Sequence, residues 1–343
     1  MELIKPGTNI DFVGKRRIAY SLSLSMIALT VFTLIWRGGP NYGIDFAGGL
    51  VIQVKLEEKQ APYSIREALK SLQLEDSIVQ EFEGKSEYLI RITKPDIEMT
   101  QLGERVKQAL VAKFGEGIDL RRVEMVGPQV SEDLRQKALF AIYYAILFMA
   151  VYISGRFEMK WTLSIIMASA LCGVTYAAST FGVNVSWLII IALLVTLGLC
   201  WFLKLKYALG AIIALIHDVI VTIGSFALTN REISLSTVAA LLTIVGYSLN
   251  DTIIIYDRVR ENIRHSGKQS LARLINDSVN QTLSRTILTT GTTLIVVVAL
   301  FLLGGPVIHD FAFALLVGFV VGTYSSVYVA SPILLLLEER KGG

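Results

Sequence analysis

The chain has 343 residues, of which 53% are hydrophobic and 18% charged, with a mean hydropathy of +0.57. Composition this apolar, with several runs longer than the roughly 18 residues needed to span a bilayer, excludes an ordinary soluble fold and predicts a multi-pass membrane protein. A formal net charge of +3, with Lys and Arg gathered in a few loops, gives no support to nucleic-acid binding. Both cysteines, Cys172 and Cys200, fall in apolar runs, so no disulfide framework is available to a water-facing domain.

Residues 1–17 read as a short basic N-terminus ending in Lys15, Arg16 and Arg17. The apolar run 18–36 is long for a signal-peptide core, and no small-residue cleavage site follows it, so it is expected to be an uncleaved first span. From 37 to 137 charge rises, apolar runs shorten, and a water-facing domain is predicted. Its periodicities give a strand at 50–56, a helix at 64–72, a strand at 77–83, a turn at 83–86, a strand at 88–93, a helix at 97–114 and a strand at 120–126. That order, βαββαβ, predicts a ferredoxin-like α+β domain. Before the first strand stands GIDFAGG, residues 43–49, where the glycines allow a tight backbone turn. It lacks the Lys and Ser/Thr of a phosphate-binding loop.

Apolar runs resume at 138–154, 162–181, 187–203, 208–229, 236–256, 286–303 and 311–337, making about eight spans and an α-helical polytopic bundle over 138–337. An even number of crossings puts both termini on one side. Arg156, Lys160, Lys204, Lys206, the loop 257–284, and Arg340 with Lys341 then share the side of the N-terminus. The opposite short loops hold only Arg231. By the positive-inside rule the N-terminus, the loop 257–284 and the tail 338–343 are expected in the cytoplasm, with 37–137 outside.

Ionisable residues inside these spans are few. Asp251, with Asn250 before it, interrupts the run TIVGYSLNDTIIIYDR; a carboxylate at that depth costs roughly 2.5–3.5 kcal/mol on insertion scales, which makes it a functional-site candidate by default. Helical spacing places Thr243, Tyr247, Asp251 and Arg258 on one face. Asp218 lies in the middle of an earlier span beside His217, with Thr222 and Ser225 continuing its face. Arg285 enters the next-to-last span with Gln281, Thr289, Thr292 and Thr293 on its side. The last span carries Thr323, Tyr324, Ser325, Ser326 and Tyr328, and a Gly318-x-x-x-Gly322 pair that admits a close helix neighbour. The spans from 162 to 203 carry no ionisable residue. A charged centre bounded by uncharged helices is what a proton or ion path requires. Scattered histidines and carboxylates without ligand spacing predict no metal site.

Five stretches, GYSLNDTIIIYDRVREN (246–262), LIHDV (215–219), NQTLSRTILTT (280–290), GTYSSVYVASP (322–332) and GIDFAGG (43–49), together resemble the SecF family of bacterial protein translocase subunits, within the resistance–nodulation–division superfamily. The resemblance implies a non-enzymatic, cofactor-free accessory subunit of the inner membrane. It would pair with SecD, associate with the SecYEG channel and SecA, with YajC and YidC as further partners, and act on unfolded exported polypeptides, driven by a proton or sodium gradient. It implies that Asp251 carries the proton, with Arg285 and Asp218 nearby and Asn250, Tyr247, Thr289 and Thr222 in support. It also makes Asp45, Phe46, Gly48 and Gly49 a periplasmic hinge motif. The sequence departs from the family in one place: SecF proteins usually have six spans, and the segment 161–204 adds two more.

Protonating Asp251 would remove a buried charge and weaken its attraction to Arg285, so helix packing would differ between the two states. Two other classes are weighed against this. A small-molecule or lipid exporter of the superfamily normally has a longer chain with duplicated membrane halves. A passive channel scaffold would not need the buried charges.

Overall fold

The computed structural model describes residues 9–74, 77–82, 86–92, 102–265 and 269–339, in two compact units, one of Tyr42–Lys137 and one of Met1–Asn41 with Ala138–Gly343. The expected turn at 83–86, the strand ends at 83 and 93, the start of the helix at 97–101 and the tail at 340–343 lie wholly or partly outside the described residues.

The unit Tyr42–Lys137 begins with a single helical turn, α2 (Ile44–Ala47), in which Phe46 is buried and meets the Tyr42 ring edge-on with ring centres 6.1 Å apart, an ordinary spacing for an aromatic pair. The chain then enters β1 (Gly49–Lys55) through Gly48 at φ +71° and Gly49 at φ +123°. Both angles lie in backbone regions that a Cβ disfavours. There follow α3 (Pro62–Leu69), β2 (Ile78–Phe82), β3 (Glu87–Ile92), α4 (Leu102–Phe114) and β4 (Asp119–Val126). The sheet order is β2-β3-β1-β4 with every neighbouring pair antiparallel, so the first and third strands are central. Alternate residues of β1 and β3, among them Ile52, Val54, Tyr88 and Ile90, pack with Ile65 and Leu69 of α3 and Leu102, Val106 and Leu110 of α4. The Tyr88 hydroxyl, fully buried, is satisfied by the Gln60 backbone, donating to its carbonyl at 2.5 Å and accepting from its N–H at 2.7 Å.

The helical unit contains α1 (Arg16–Arg37), most of α5 (Pro128–Glu158), α6 (Trp161–Thr180), α7 (Val185–Phe202), α8 (Lys206–Thr229), α9 (Leu235–His265), α10 (Leu271–Leu303), α11 (Pro306–Ser325) and α12 (Ser331–Glu339). Eight helical stretches among the described residues are long and apolar enough to cross a membrane. The last, Ile308–Leu337, runs through α11 and α12 and contains a π-helical segment, Ser326–Ala330. Pro332 explains the widening, because it has no N–H to donate one turn back and its ring crowds the preceding carbonyls. The hydroxyl of Ser331 takes up the Ser326 carbonyl at 2.8 Å.

Burial sorts the helices. In α8, 67% of the most apolar stretch is buried, against 17% in α10, so α8 is the central helix and α10 a flank. The uncharged pair α6 and α7, at 28% and 33%, is no more peripheral than α1 at 22%. The pairs that close the bundle use small residues. Gly318 and Gly322 of α11 face Ile244 and Ser248 of α9, Gly224 of α8 faces Thr30 of α1, and Gly210 of α8 faces Tyr256 of α9. At the start of the described chain, Asn276 and Asn280 of α10 hold the backbone of residues 10–13 by amide hydrogen bonds at 2.8 to 3.3 Å.

Candidate functional site

Three helices converge on Asp218. Its side chain is fully buried, and Oδ2 accepts hydrogen bonds from Ser248 of α9 at 2.6 Å and Ser325 of α11 at 2.8 Å. Oδ1 lies 3.0 Å from Nδ1 of His217, itself 3% exposed. The carboxylate therefore has a partner at each oxygen. Buried carboxylates persist only with such company.

Asp251 sits one helical turn beyond Ser248 on the same side of α9, 2% exposed. Among the described residues its hydrogen-bond contacts are weak ones to hydroxyls, from Thr290 of α10 to Oδ2 at 3.5 Å and with Thr323 of α11, and Oδ1 has no partner within hydrogen-bond distance. Thr290 in turn lies 2.9 Å from Thr323 of α11. Below, Thr252 and Ser326 meet at 2.8 Å, and Ser326 reaches the Ser248 carbonyl at 3.3 Å. A band of hydroxyls on α9, α10 and the π segment thus continues the two carboxylates through a bundle interior that is otherwise apolar.

The sequence-derived residues divide between this core and its outside. Asp218 and Asp251 are in it. Thr222 is buried, but its hydroxyl is used by the Asp218 carbonyl at 2.7 Å, not by a carboxylate. Tyr247 stacks on Phe319 at 4.0 Å and donates to the Thr289 carbonyl at 3.2 Å and the Thr293 hydroxyl at 3.1 Å, away from Asp251. Thr289 is half-buried and serves Tyr247 through its backbone. Asn250 is exposed on the opposite side of α9 from Ser248 and Thr252. Arg285 is exposed and, among the described residues, makes no ion pair or hydrogen bond with Asp251, so its charge acts on that carboxyl across a gap. Its helix explains this. The buried face of α10 is Thr282, Thr286 and Thr290, whereas the expected stripe through Gln281, Arg285, Thr289 and Thr293 is one residue, about 100° at 3.6 residues per turn, out of phase. Arg258 pairs with Glu261 at 2.9 Å, and Thr243 is exposed. Asp45, Phe46, Gly48 and Gly49 belong to the other unit.

Reading the sequence missed Ser248, Thr290 and Thr286 as interior residues. Ser248 carried a usable signal, standing three residues before Asp251 and so on its face. Among the described residues no group of histidines, cysteines and carboxylates is placed to hold a metal ion.

Polytopic helices closed by small residues around buried carboxylates and hydroxyls, with a separate four-stranded sheet unit, define a membrane protein of the transport class. Residues 106–200 and 199–340 match the family described as protein export membrane protein SecD/SecF, C-terminal, and residues 34–60 match the SecD/SecF GG motif, which includes Gly48 and Gly49. The protein translocase subunit SecF of Magnetococcus marinus is 41% identical over 342 residues, covering 98% of this chain and 95% of the relative; that of Vibrio alginolyticus is 38% identical over 341 residues, covering 99% and 93%. The chain belongs to the SecF family of protein translocase subunits, and is thus a membrane transport component and not an enzyme. Among solved structures, SecDF from Thermus thermophilus, described as translocon-associated, superposes with a TM-score of 0.70 at 29% identity over 99% of this chain, and a SecDF in a super-membrane-facing form with 0.58 at 29%. This chain spans 40% of the length of each SecDF.

Proposed function

We propose that the chain is the SecF-type accessory subunit of a Sec protein-export machinery and that, with SecD, it uses the proton gradient to promote movement of exported polypeptides. Asp251 carries this reading. It is a carboxyl group in mid-span, walled from solvent, with one oxygen lacking a hydrogen-bond partner among the described residues. The charged and neutral forms of such a group differ in burial cost by several kcal/mol, so gaining or losing a proton there repacks what surrounds it. A proton moving down ~100 mV contributes roughly 2.3 kcal/mol, enough to bias a two-state arrangement of helices.

A second observation supports SecD as partner. Arg285 and Asn250 face outward from spans of this chain, where lipid would leave a guanidinium and an amide unsolvated. A helical partner laid over the α9–α10 face would cover both and complete the surroundings of Asp251. In this reading Arg285 acts across that interface, with Tyr247 and Thr289 holding α9 and α10 in register beneath it. The SecYEG channel with SecA, YajC and YidC enter as further partners through the family alone. The unit Tyr42–Lys137 is read as a ferredoxin-like domain on the outer side: its βαββαβ order and the sheet order 4-1-3-2 interlock two split β-α-β units. Both termini are then cytoplasmic, and Asp45 to Gly49 lie at the start of that outer domain, where they serve as its hinge.

The test is export into membrane vesicles under an imposed proton gradient, with SecD present. Asp251→Asn should insert and bind SecD but lose the stimulation; a variant that responds like the parent overturns the reading.

A further inference from the structure

His217 has a nitrogen that the proposed cycle does not yet use. The ring is 3% exposed; Nδ1 lies 3.0 Å from Asp218 Oδ1, while Nε2 is buried with no hydrogen-bond partner among the described residues. A buried polar atom left unpaired costs about 1–3 kcal/mol, so it calls for a reason. Packing alone supplies none, since an apolar side chain of similar size would fill the space against Tyr324, whose ring centre is 6.0 Å away, without that cost.

We propose that His217 is the proton-exchange group for Asp218, making the His217–Asp218 pair a second proton-loading centre beside Asp251. The inference rests on the proton-driven reading above and extends it to another helix. In the step, when helix movement opens Nε2 to water, an O–H bond of a hydronium ion breaks, its electron pair stays on oxygen to leave neutral water, and the released proton forms a new N–H bond at Nε2. The Nδ1–H bond breaks, its electron pair stays on the ring, and its proton forms an O–H bond at Asp218 Oδ1. Imidazole is neutral before and after, having exchanged one tautomer for the other, and the carboxylate has become a carboxylic acid. Two donors, Ser248 and Ser325, hold Oδ2 on the far side, so Oδ1 is the oxygen presented to the imidazole. Ser248 is on the helix of Asp251 and Ser325 on that of Thr323, which ties the charge on Asp218 to both walls of the Asp251 site.

The neighbouring groups able to compete are few. Among the described side chains on helices packed against α8, the titratable ones within the apolar stretches are Asp251, Tyr247 and Tyr256 on α9, Tyr324 on α11, Tyr328 on the π segment, Tyr20 on α1 and Cys200 on α7, with His309 and Asp310 at the start of α11 engaged by Arg231. Tyr324 is already engaged with α1, donating to the Ala19 carbonyl at 2.7 Å and lying 3.0 Å from the Ser23 hydroxyl. Arg16, Arg17 and Arg37 sit at the two ends of α1.

The experiment is infrared difference spectroscopy of the full chain with SecD in lipid after a pH jump, following the protonated-carboxyl stretch that disappears in Asp218→Asn. His217→Gln keeps an amide N–H for Oδ1 but cannot pass a proton on. It should slow appearance of that band about a hundredfold, the lower end of what a positioned proton-transfer group contributes. His217→Ala should be slow likewise and should recover with added imidazole, which a purely structural role would not produce. If His217→Gln does not fold, His217→Ala with and without imidazole makes the same comparison. An unchanged rate in the glutamine variant, or in the alanine variant without imidazole, overturns the proposal. Because the band is read without export, loss of this proposal is separable from loss of the reading tested by Asp251→Asn in vesicles.

Discussion

Gly322 of α11 stands against Ser248 of α9 so closely that a Cβ on the glycine would lie 2.9 Å from the serine Cβ. This approach lets Ser248 and Ser325, from two helices, donate to the same oxygen of Asp218. Both atoms at the clash are fixed to helix backbone, so Gly322→Ala must push α9 and α11 apart. We expect a loss of about 1–3 kcal/mol, the usual range for overpacking. Thermal unfolding in detergent should show it, and the double variant with Ser248→Gly should recover much of the loss if the contact is the cause.

The two serines are not independent. Removing either leaves the other on Asp218 Oδ2, so Ser248→Ala and Ser325→Ala should each cost about 1 kcal/mol. Together they strip that oxygen of both donors and should cost more than the sum by at least about 0.5 kcal/mol. A double-mutant cycle by denaturant unfolding measures the excess; strict additivity would show that the shared oxygen does not couple them.

Arg285→Lys separates intrinsic packing from interface. The side chain is exposed and unpaired with Asp251 in the single chain, so unfolding of the chain alone should change by no more than about 0.5 kcal/mol. Gradient-stimulated export with SecD should nevertheless fall, because the planar fork is lost where the partner would meet it. Asp251→Glu should keep part of the stimulation, having kept the titratable group. An Arg285→Lys variant normal in both assays would remove Arg285 from the mechanism.

The helix pair α6–α7 can be excised along a seam the fold already provides. Phe157 stacks on Tyr207 at 5.2 Å, and both rings meet Tyr256, so residues on either side of the pair are already neighbours. A chain with Phe157 joined directly to Lys206 should insert and retain gradient-stimulated export at reduced level. It loses the Glu158 carboxylate that accepts from the Tyr207 N–H at 3.0 Å, and the Tyr143–Thr196 contact. Normal insertion with no export would place α6 and α7 in the working part of the bundle.

In the sheet unit, Gly48 at φ +71° faces the Ser131 hydroxyl at 3.2 Å from a built Cβ, and Gly49 at φ +123° starts β1. Gly48→Ala should cost about 1–2 kcal/mol from the backbone alone, because φ +71° with ψ +168° is a region essentially confined to glycine. Gly49→Val, β-branched at a φ outside both allowed L-residue basins, should cost more, up to about 3 kcal/mol. Limited proteolysis of the intact chain reads both; a Gly49→Val protein as resistant as the parent would contradict the backbone argument.

Local composition was enough to read the eight apolar stretches, the order of strands and helices between residues 49 and 126, and the two carboxylates, Asp218 and Asp251. Span length depends on a run of side chains, strand or helix on periodicity, and a charge in an apolar run is conspicuous wherever the run folds. The phase of each helix was not legible in the same way. On α10, hydroxyls occur at 282, 286 and 290 and again at 289, 292 and 293, so the sequence has two polar stripes, and only packing against α9 and α11 decides that the first faces inward. The same choice sends Arg285 outward and leaves Asp251 with one oxygen unpartnered among the described residues. Asp218 owes its two cross-helix partners, Ser248 and Ser325, to close approach, since Gly322 lets α11 lie against Ser248 of α9. Apolarity is a property of residues one at a time and survives in the sequence, whereas a hydrogen bond across helices depends on rotation and distance, which exist only once the helices have packed.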